Sequence, residues 1–228
     1  MLYKTRGIVF QTVNYSDNSF IAKVYTELFG LQSYMVNNPR GKKSSTKINV
    51  FQPMNLVELV VYRKEKKQLH RIKEIKIELP YNTIPFDVSK SSITFFLNEI
   101  LCKCIREEES NLELFQFIHG SMIRLDNAKS KFVCFHLYFL IQLAAHLGFA
   151  PSGNFSADTP FFDLHEGIFK NESAENCLGE KASETIFNLL ITSSYEIHLP
   201  SISAATDRAV RAMVAALDKP ECLVREAP

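Results

Sequence analysis

Several features that would assign chemistry are missing from this chain. It has no G-x-x-x-x-G-K-[ST], no G-x-G-x-x-G, no H-E-x-x-H and no G-x-S-x-G. The phosphate cradles, zinc sites and nucleophile elbows that those motifs build are therefore not encoded, and no enzymatic activity is expected. No apolar run approaches the roughly 18 residues of a membrane span. The opening Met1-Leu2-Tyr3-Lys4-Thr5-Arg6-Gly7-Ile8-Val9 has no apolar signal-peptide core, and no cleavage motif follows it. A cytoplasmic location is expected. Glycine and proline are modest, at 8 and 9, and no low-complexity tract occurs, so disorder is not indicated.

Cysteine is also scarce. Cys102 and Cys104 are two apart, Cys134, Cys177 and Cys222 stand alone, the total of 5 is odd, and there is no C-x-x-C. Neither a disulfide framework nor a zinc site follows from these spacings. Cys102, Cys104 and Cys134 fall in apolar helical patterns and read as buried structural thiols. The histidines are scattered and read as structural or surface groups. His165-Glu166 has no partner at metal-ligand spacing. No cofactor and no metal are expected.

The chain lacks net charge as well, at +1, but this hides an asymmetry. From Met1 to Glu78 there are fourteen Lys and Arg against six Asp and Glu, a balance of +8, so Leu79 to Pro228 carries −7. A basic module joined to an acidic one points to nucleic acid or membrane contact by the basic half.

The basic half reads as strands. Leu2 to Val13, Phe20 to Thr26, Leu31 to Asn37, Ile48 to Tyr62 and Gln68 to Leu79 are short alternating runs separated by turn residues. Gly7 within the first strand suggests a bulge or bend, and Gly30 suits a turn that needs positive φ. Five strands in so short a stretch predict a small closed barrel of OB type, with an SH3-like barrel as the rival. Pro80 to Asp87 is a linker. After it the period changes to helical. Helices are expected from Asp87 or Ser89 to about Arg106, at Leu112 to Leu125, Lys131 to Gly148, Ser183 to Ile197 and Ala204 to Leu217. The third is apolar nearly all round and should be central. Glu107-Glu108-Glu109 reads as a solvated helix end. The expected fold is α+β: an OB-type barrel over 1–79, a linker over 80–87, and an α-helical domain over 88–228 with an irregular loop at 149–179.

Small barrels hold single strands with cations on phosphates and aromatics against bases. The candidate cations are Lys4 and Arg6, then Arg40, Lys42, Lys43 and Lys47 in an exposed loop. Lys64, Lys66 and Lys67 follow at a hairpin tip, and Arg71 on the fifth strand. The aromatics are Tyr3, Tyr15, Tyr25, Tyr34 and Tyr62. Each taken singly reads first as core; Tyr34 is carried as a strand contact.

The order of several short segments resembles the bacterial RecO family of DNA-repair recombination mediators. The segments are Tyr3-Lys4-Thr5-Arg6-Gly7-Ile8-Val9, Tyr15-Ser16-Asp17, Tyr25-Thr26-Glu27-Leu28-Phe29-Gly30, Gln52-Pro53-Met54-Asn55-Leu56-Val57-Glu58-Leu59 and Gln142-Leu143-Ala144-Ala145-His146-Leu147-Gly148-Phe149-Ala150-Pro151. The resemblance implies binding of single- and double-stranded DNA and annealing of complementary strands, in a cytoplasmic, nucleoid-associated protein. It implies work with RecR to place RecA on DNA covered by single-strand-binding protein, whose acidic C-terminal tail docks on the helical domain. Arg124, Lys129, Lys131, Phe132 and Phe135 are the candidates for that tail. Many relatives carry a four-cysteine zinc element where this chain has only Cys177, and the Ala-rich stretch 201–228 also departs from the family. On the residues alone, an RNA-binding barrel and a non-enzymatic protein-interaction scaffold remain open.

Overall fold

Side-chain alternation closes the first five strands into a barrel. The computed structural model describes residues 1–37, 49–63, 67–129, 132, 134–148 and 152–191. The strands are β1 (Leu2–Ser16), β2 (Ser19–Thr26), β3 (Gly30–Asn37), β4 (Leu56–Tyr62) and β5 (Leu69–Ile77). Their order is β1-β2-β3-β5-β4, and β4 returns to β1. Among the described barrel strands, β3 and β5 pair in parallel, through Ser33↔Leu69, Tyr34↔His70 and Met35↔Arg71. This closure is that of an OB-type barrel and rules out the SH3-like alternative.

β1 makes the closure work because it serves two neighbours. Leu2 to Ile8 pair with β4, and Gly7 to Ser16 pair with β2. The strand must bend where it changes partner. A register shift lies between Val9 and Gln11, so the irregularity is just beyond Gly7 and not at it. Gly7 answers a packing demand instead: a Cβ there would stand 2.6 Å from Val24 Cγ1 and 2.7 Å from Leu59 Cδ1. The barrel core is Val9, Phe20, Ala22, Val24, Tyr34, Phe51, Val57, Leu59 and Val61. Each large apolar side chain buried there contributes roughly 1.5–3 kcal/mol. β4 occupies the end of the Ile48–Tyr62 stretch expected to hold it, close to the clear run Asn55–Tyr62. The chain first turns through Met54, at φ 65°, whose N–H donates to the Val9 carbonyl and whose carbonyl accepts the Tyr81 hydroxyl.

Two helices close on the barrel to form one compact unit, Met1–Asn127. The first, α1 (Val88–Cys104), is capped by Asp87, whose carboxylate accepts the N–H groups of Ser89 and Lys90. The second, α2 (Leu112–Asn127), starts where the Asn111 side chain accepts Leu114 N–H at 3.0 Å. Phe10, Tyr25 and Phe115 join strand to helix, with ring centroids 5.6 and 6.1 Å apart. The Cys102 thiol lies 3.7 Å from the Phe10 carbonyl, and burial pushes its pKa up.

The connecting segments are more tightly held than their composition suggests. Asp126, buried near the end of α2, accepts the N–H groups of Asn82, Thr83 and Ile84 at 2.8–2.9 Å. Lys90, itself buried, donates to the Asp126 carbonyl and to Thr83 Oγ1. The Pro80–Asp87 stretch is thereby fastened to α2. The Glu107–Glu109 loop keeps its side chains in solvent, yet its backbone docks on the barrel. Its Glu107 carbonyl accepts Leu31 N–H at 2.9 Å, and the neighbouring Ser110 hydroxyl donates to the Glu27 carbonyl at 2.9 Å.

The second unit begins at Ala128. Its helix α3 (Phe135–His146) starts later than the expected Lys131, and it buries residues all round, from Phe135 through Phe139 and Leu140 to Ala144. The 149–179 stretch is not wholly irregular. It holds a three-stranded sheet of order β7-β6-β8, from β6 (Phe161–Asp163), β7 (Ile168–Lys170) and β8 (Cys177–Leu178). Helix α4 (Glu180–Ile191) packs Phe187 against Phe155 and Phe169. The Ser183 hydroxyl, fully buried, accepts Phe162 N–H at 2.8 Å. His165 and Glu166 have structural duties here. Both backbone N–H groups cap Asp163, and Lys170 bridges the Asp163 and Glu166 carboxylates at 2.8 and 2.6 Å. The expected helices beyond Ile191 lie outside the described residues. Among the described residues no helix is long and apolar enough to cross a membrane.

Candidate nucleic-acid interface

The outer face of β1, β4 and β5 is set by the pleat. Residues directly across neighbouring strands share a face, so the pairings define three rows: Leu2–Tyr62–Arg71, Lys4–Val60–Glu74 and Arg6–Glu58–Lys76. The lysines of these rows share one counter-charge. Glu58 lies 3.3 Å from Lys4 Nζ and 3.2 Å from Lys76 Nζ, and its carboxyl is held below the usual range by hydrogen bonding to Lys76 and then Lys4. The trio therefore keeps a net positive charge, and the Lys4 side chain is 72% exposed. Arg71 and Lys67 are exposed too.

Arg6 is differently placed. Its Nε and Nη2 donate to both oxygens of Glu27 at 3.0 and 2.6 Å, Nη1 is 3.8 Å from Glu78, and the guanidinium lies 5.4 Å from the Phe115 centroid. Glu78 in turn meets His119 Nε2 at 3.0 Å. The Arg6 hydrogen bonds hold the Glu27 carboxyl below its ordinary value. Arg6 thus joins barrel to helix and is committed to carboxylates, which leaves it little for a phosphate. Replacing it with lysine removes the two-pronged geometry. Arg6→Lys is expected to cost about 1 kcal/mol, a modest figure because the pair is partly exposed. A shift in the urea midpoint measures it.

Tyr34 corrects the sequence reading. It is 1% exposed, sits in the barrel core, and faces inward with Phe20 and Val24. Burial pushes its phenol pKa up, and it offers no ring face to a strand. Tyr62, one of the candidate aromatics, is 50% exposed, and Lys76, which the sequence reading does not single out, shares Glu58 with Lys4 on the same face. Arg40, Lys42, Lys43 and Lys47, with Lys64 and Lys66, lie outside the described residues.

The tail-docking candidates divide between the two units. Arg124 is exposed on α2 and donates to the Ser121 hydroxyl at 3.3 Å. Lys129 is exposed, and Phe132 is half-buried. Phe135 is 1% exposed in the α3 core, so it cannot line a docking surface. Lys131 lies outside the described residues. Among the described residues, no group of three or more His, Cys, Asp or Glu side chains converges as metal ligands would.

Comparison with known proteins agrees with this architecture. Residues 1–81 match the family described as Recombination protein O N terminal, and residues 85–184 match Recombination protein O C terminal. The chain is 38% identical to the DNA repair protein RecO of Phocaeicola vulgatus over 205 residues, 89% of this chain and 85% of that one. It is 41% identical to the DNA repair protein RecO of Bacteroides fragilis over 169 residues, covering 74% and 70%. For the DNA repair protein RecO of Flavobacterium psychrophilum the identity is 36% over 211 residues, covering 92% and 87%. With both halves matched and such coverage of full-length relatives, the chain belongs to the RecO family of DNA repair proteins.

Proposed function

We propose that this protein is a non-enzymatic DNA-binding recombination mediator. It binds single- and double-stranded DNA, anneals complementary strands, and works with RecR to place RecA on DNA covered by single-strand-binding protein. One observation carries this reading: the first seventy-eight residues carry a net charge of +8, and the described strands among them close into an OB-type barrel. Neutralising phosphates lowers the repulsion between two strands, so annealing asks for no catalytic residue and no nucleotide hydrolysis. The exposed Lys4, Lys67 and Arg71 support this role, together with Arg40, Lys42, Lys43 and Lys47, which lie in sequence between β3 and β4, and Lys64 and Lys66, between β4 and β5. The acidic remainder suits partner contact, with Arg124, Lys129, Lys131 and Phe132 as candidates for the acidic tail of single-strand-binding protein.

Salt dependence is the test. With roughly four phosphates neutralised, the log–log slope for single strands is about −3, and affinity falls about fiftyfold between roughly 50 and 200 mM salt. Lys42→Glu with Lys43→Glu should weaken binding about tenfold for every sequence and flatten the slope by roughly two. Annealing should proceed without ATP. A protein that fails to bind single-stranded DNA at low salt contradicts the reading, and a clear preference for RNA favours the RNA-binding alternative. Annealing of DNA coated by single-strand-binding protein, with its tail intact or removed, tests the partner contact.

A further inference from the structure

We infer that Tyr62 is the base-stacking platform of the barrel, and that a single strand crosses the outer face of β1, β4 and β5. This inference rests on the DNA-binding reading and locates its contact surface. Sorting the five barrel tyrosines singles out Tyr62. Tyr25 and Tyr34 are each 1% exposed, and Tyr3 packs edge-on against Phe29 at 5.2 Å. Tyr15 is exposed, but it lies at the end of β1 next to the Asp17-Asn18 turn, in a hollow lined by Asn14, Ser16, Asp17, Ser19 and Phe20 without a cation. Tyr62 alone combines an exposed ring with a cation directly across a strand pair, Arg71, and an apolar neighbour on the other side, Leu2.

The distances suit a nucleotide. Three adjacent strands span about 10 Å, so the Leu2–Tyr62–Arg71 row is wide enough for one base with its backbone. Lys4 is two residues along β1 from Leu2, about 7 Å away, where a neighbouring phosphate passes. Lys4 and Lys76 together outweigh Glu58 there; among the described residues Glu74 also lies on this face, and Glu27 and Glu78 are taken up by Arg6. The outer face of β2 and β3 is poorer in both ingredients. In register it carries Ser19↔Asn37, Ile21↔Met35, Lys23↔Ser33 and Tyr25↔Leu31, with one cation and an aromatic ring that is buried, Tyr25 being 1% exposed. Chemistry therefore favours the β4–β5 side. The ligand class is an unpaired nucleic-acid strand, because a duplex hides the base faces that a tyrosine ring would meet.

The test uses the full chain and a single-stranded oligonucleotide carrying 2-aminopurine, whose fluorescence falls on stacking, beside a duplex of equal length. Tyr62→Ala should weaken single-strand binding about tenfold, within the range for one lost stack, and abolish the quenching. Tyr62→Phe should keep both. Duplex affinity and the salt slope should stay within error for both variants, since no charge is removed. Arg71→Ala should flatten the slope by about one. If the wild type binds and quenches but Tyr62→Ala does so equally, the platform is overturned while the DNA-binding reading stands. Equal losses on single strand and duplex also overturn it, since they give Tyr62 a structural role. If the wild type binds no DNA, both readings fall together.

Discussion

Gly30→Ala is expected to cost about 3–4 kcal/mol and to loosen the barrel from its two helices. Two independent constraints meet at this residue. Its φ is 63°, where a side chain costs about 1 kcal/mol or more. A Cβ would also clash with the Glu109 carbonyl oxygen and stand 2.8 Å from that of Glu107. Both obstacles are backbone and cannot swing aside. Relief requires the Glu107–Glu109 loop to lift away. That breaks the Leu31 N–H bond to Glu107 and moves Ser110 off the Glu27 carbonyl. Urea denaturation of wild type, Gly30→Ala and Gly30→Asn separates the two causes. Asparagine tolerates positive φ, so it should recover less than about 1 kcal/mol if the clash dominates. A loss below about 1 kcal/mol for alanine would show that the loop does not bear on the β2–β3 turn.

Gly30 was legible in the sequence as a turn glycine, but its second constraint was not, because the loop that presses on it is far away in the chain. The same division runs through the fold. Strand positions follow from alternation and were readable to within a few residues. Closure depends on β3 lying beside β5, a long-range pairing that no local pattern encodes, so OB and SH3-like barrels could not be separated beforehand. The helical period gave α1 and α2, and Asp87 announced the first cap. The small sheet at 161–178 has strands of only two or three residues, too short for a period to show.

At the candidate site the deciding quantity is pleat phase. On β4, Glu58 and Tyr62 are four residues apart, so they share a face, and the charged Glu58 marks that face as outward. Tyr62 was therefore recoverable from sequence. On β3, Gln32 and Ser33 put a polar residue on each phase, so nothing local shows that Tyr34 points inward. Arg6 misled for a different reason. Its partners Glu27 and Glu78 come from a turn and from the residue after β5, and its exposed-looking position conceals a carboxylate clamp.

Asp126→Asn should be the most destabilising conservative change in the first unit, at about 3–5 kcal/mol. Its carboxylate accepts three backbone N–H groups, with Asn82 on one oxygen and Thr83 and Ile84 on the other, while the Thr83 hydroxyl donates to the Asp126 main-chain carbonyl. An amide oxygen can keep Thr83 and Ile84, or Asn82, but not all three, and its NH2 then faces the remainder, donor against donor. A buried donor such as the Ile84 N–H costs roughly 1–3 kcal/mol when left without a partner, the part-buried Asn82 and Thr83 N–H groups less, and the loss of the charged acceptor adds to this. The segment from Asn82 to Ile84 would come away from α2, and with it the support of Lys90. The pH dependence gives an independent check. Burial pushes the Asp126 carboxyl up, but the hydrogen bonds from Asn82, Ile84 and Thr83 outweigh it and hold the pKa below the ordinary value. A carboxyl whose folded pKa lies below its unfolded value of about 3.9 stabilises the fold above that pH and loses its contribution as pH falls through the folded pKa. The stability gap between wild type and Asp126→Asn should therefore be widest near neutrality and narrow below about pH 4. Comparing the two proteins cancels the acid response of Glu27, Glu58 and Asp163, which the substitution leaves alone. Urea midpoints at roughly pH 7, 5 and 3.5 measure the gap. A gap that stays constant or widens with acid would mean that the anchor is not an ionised carboxylate.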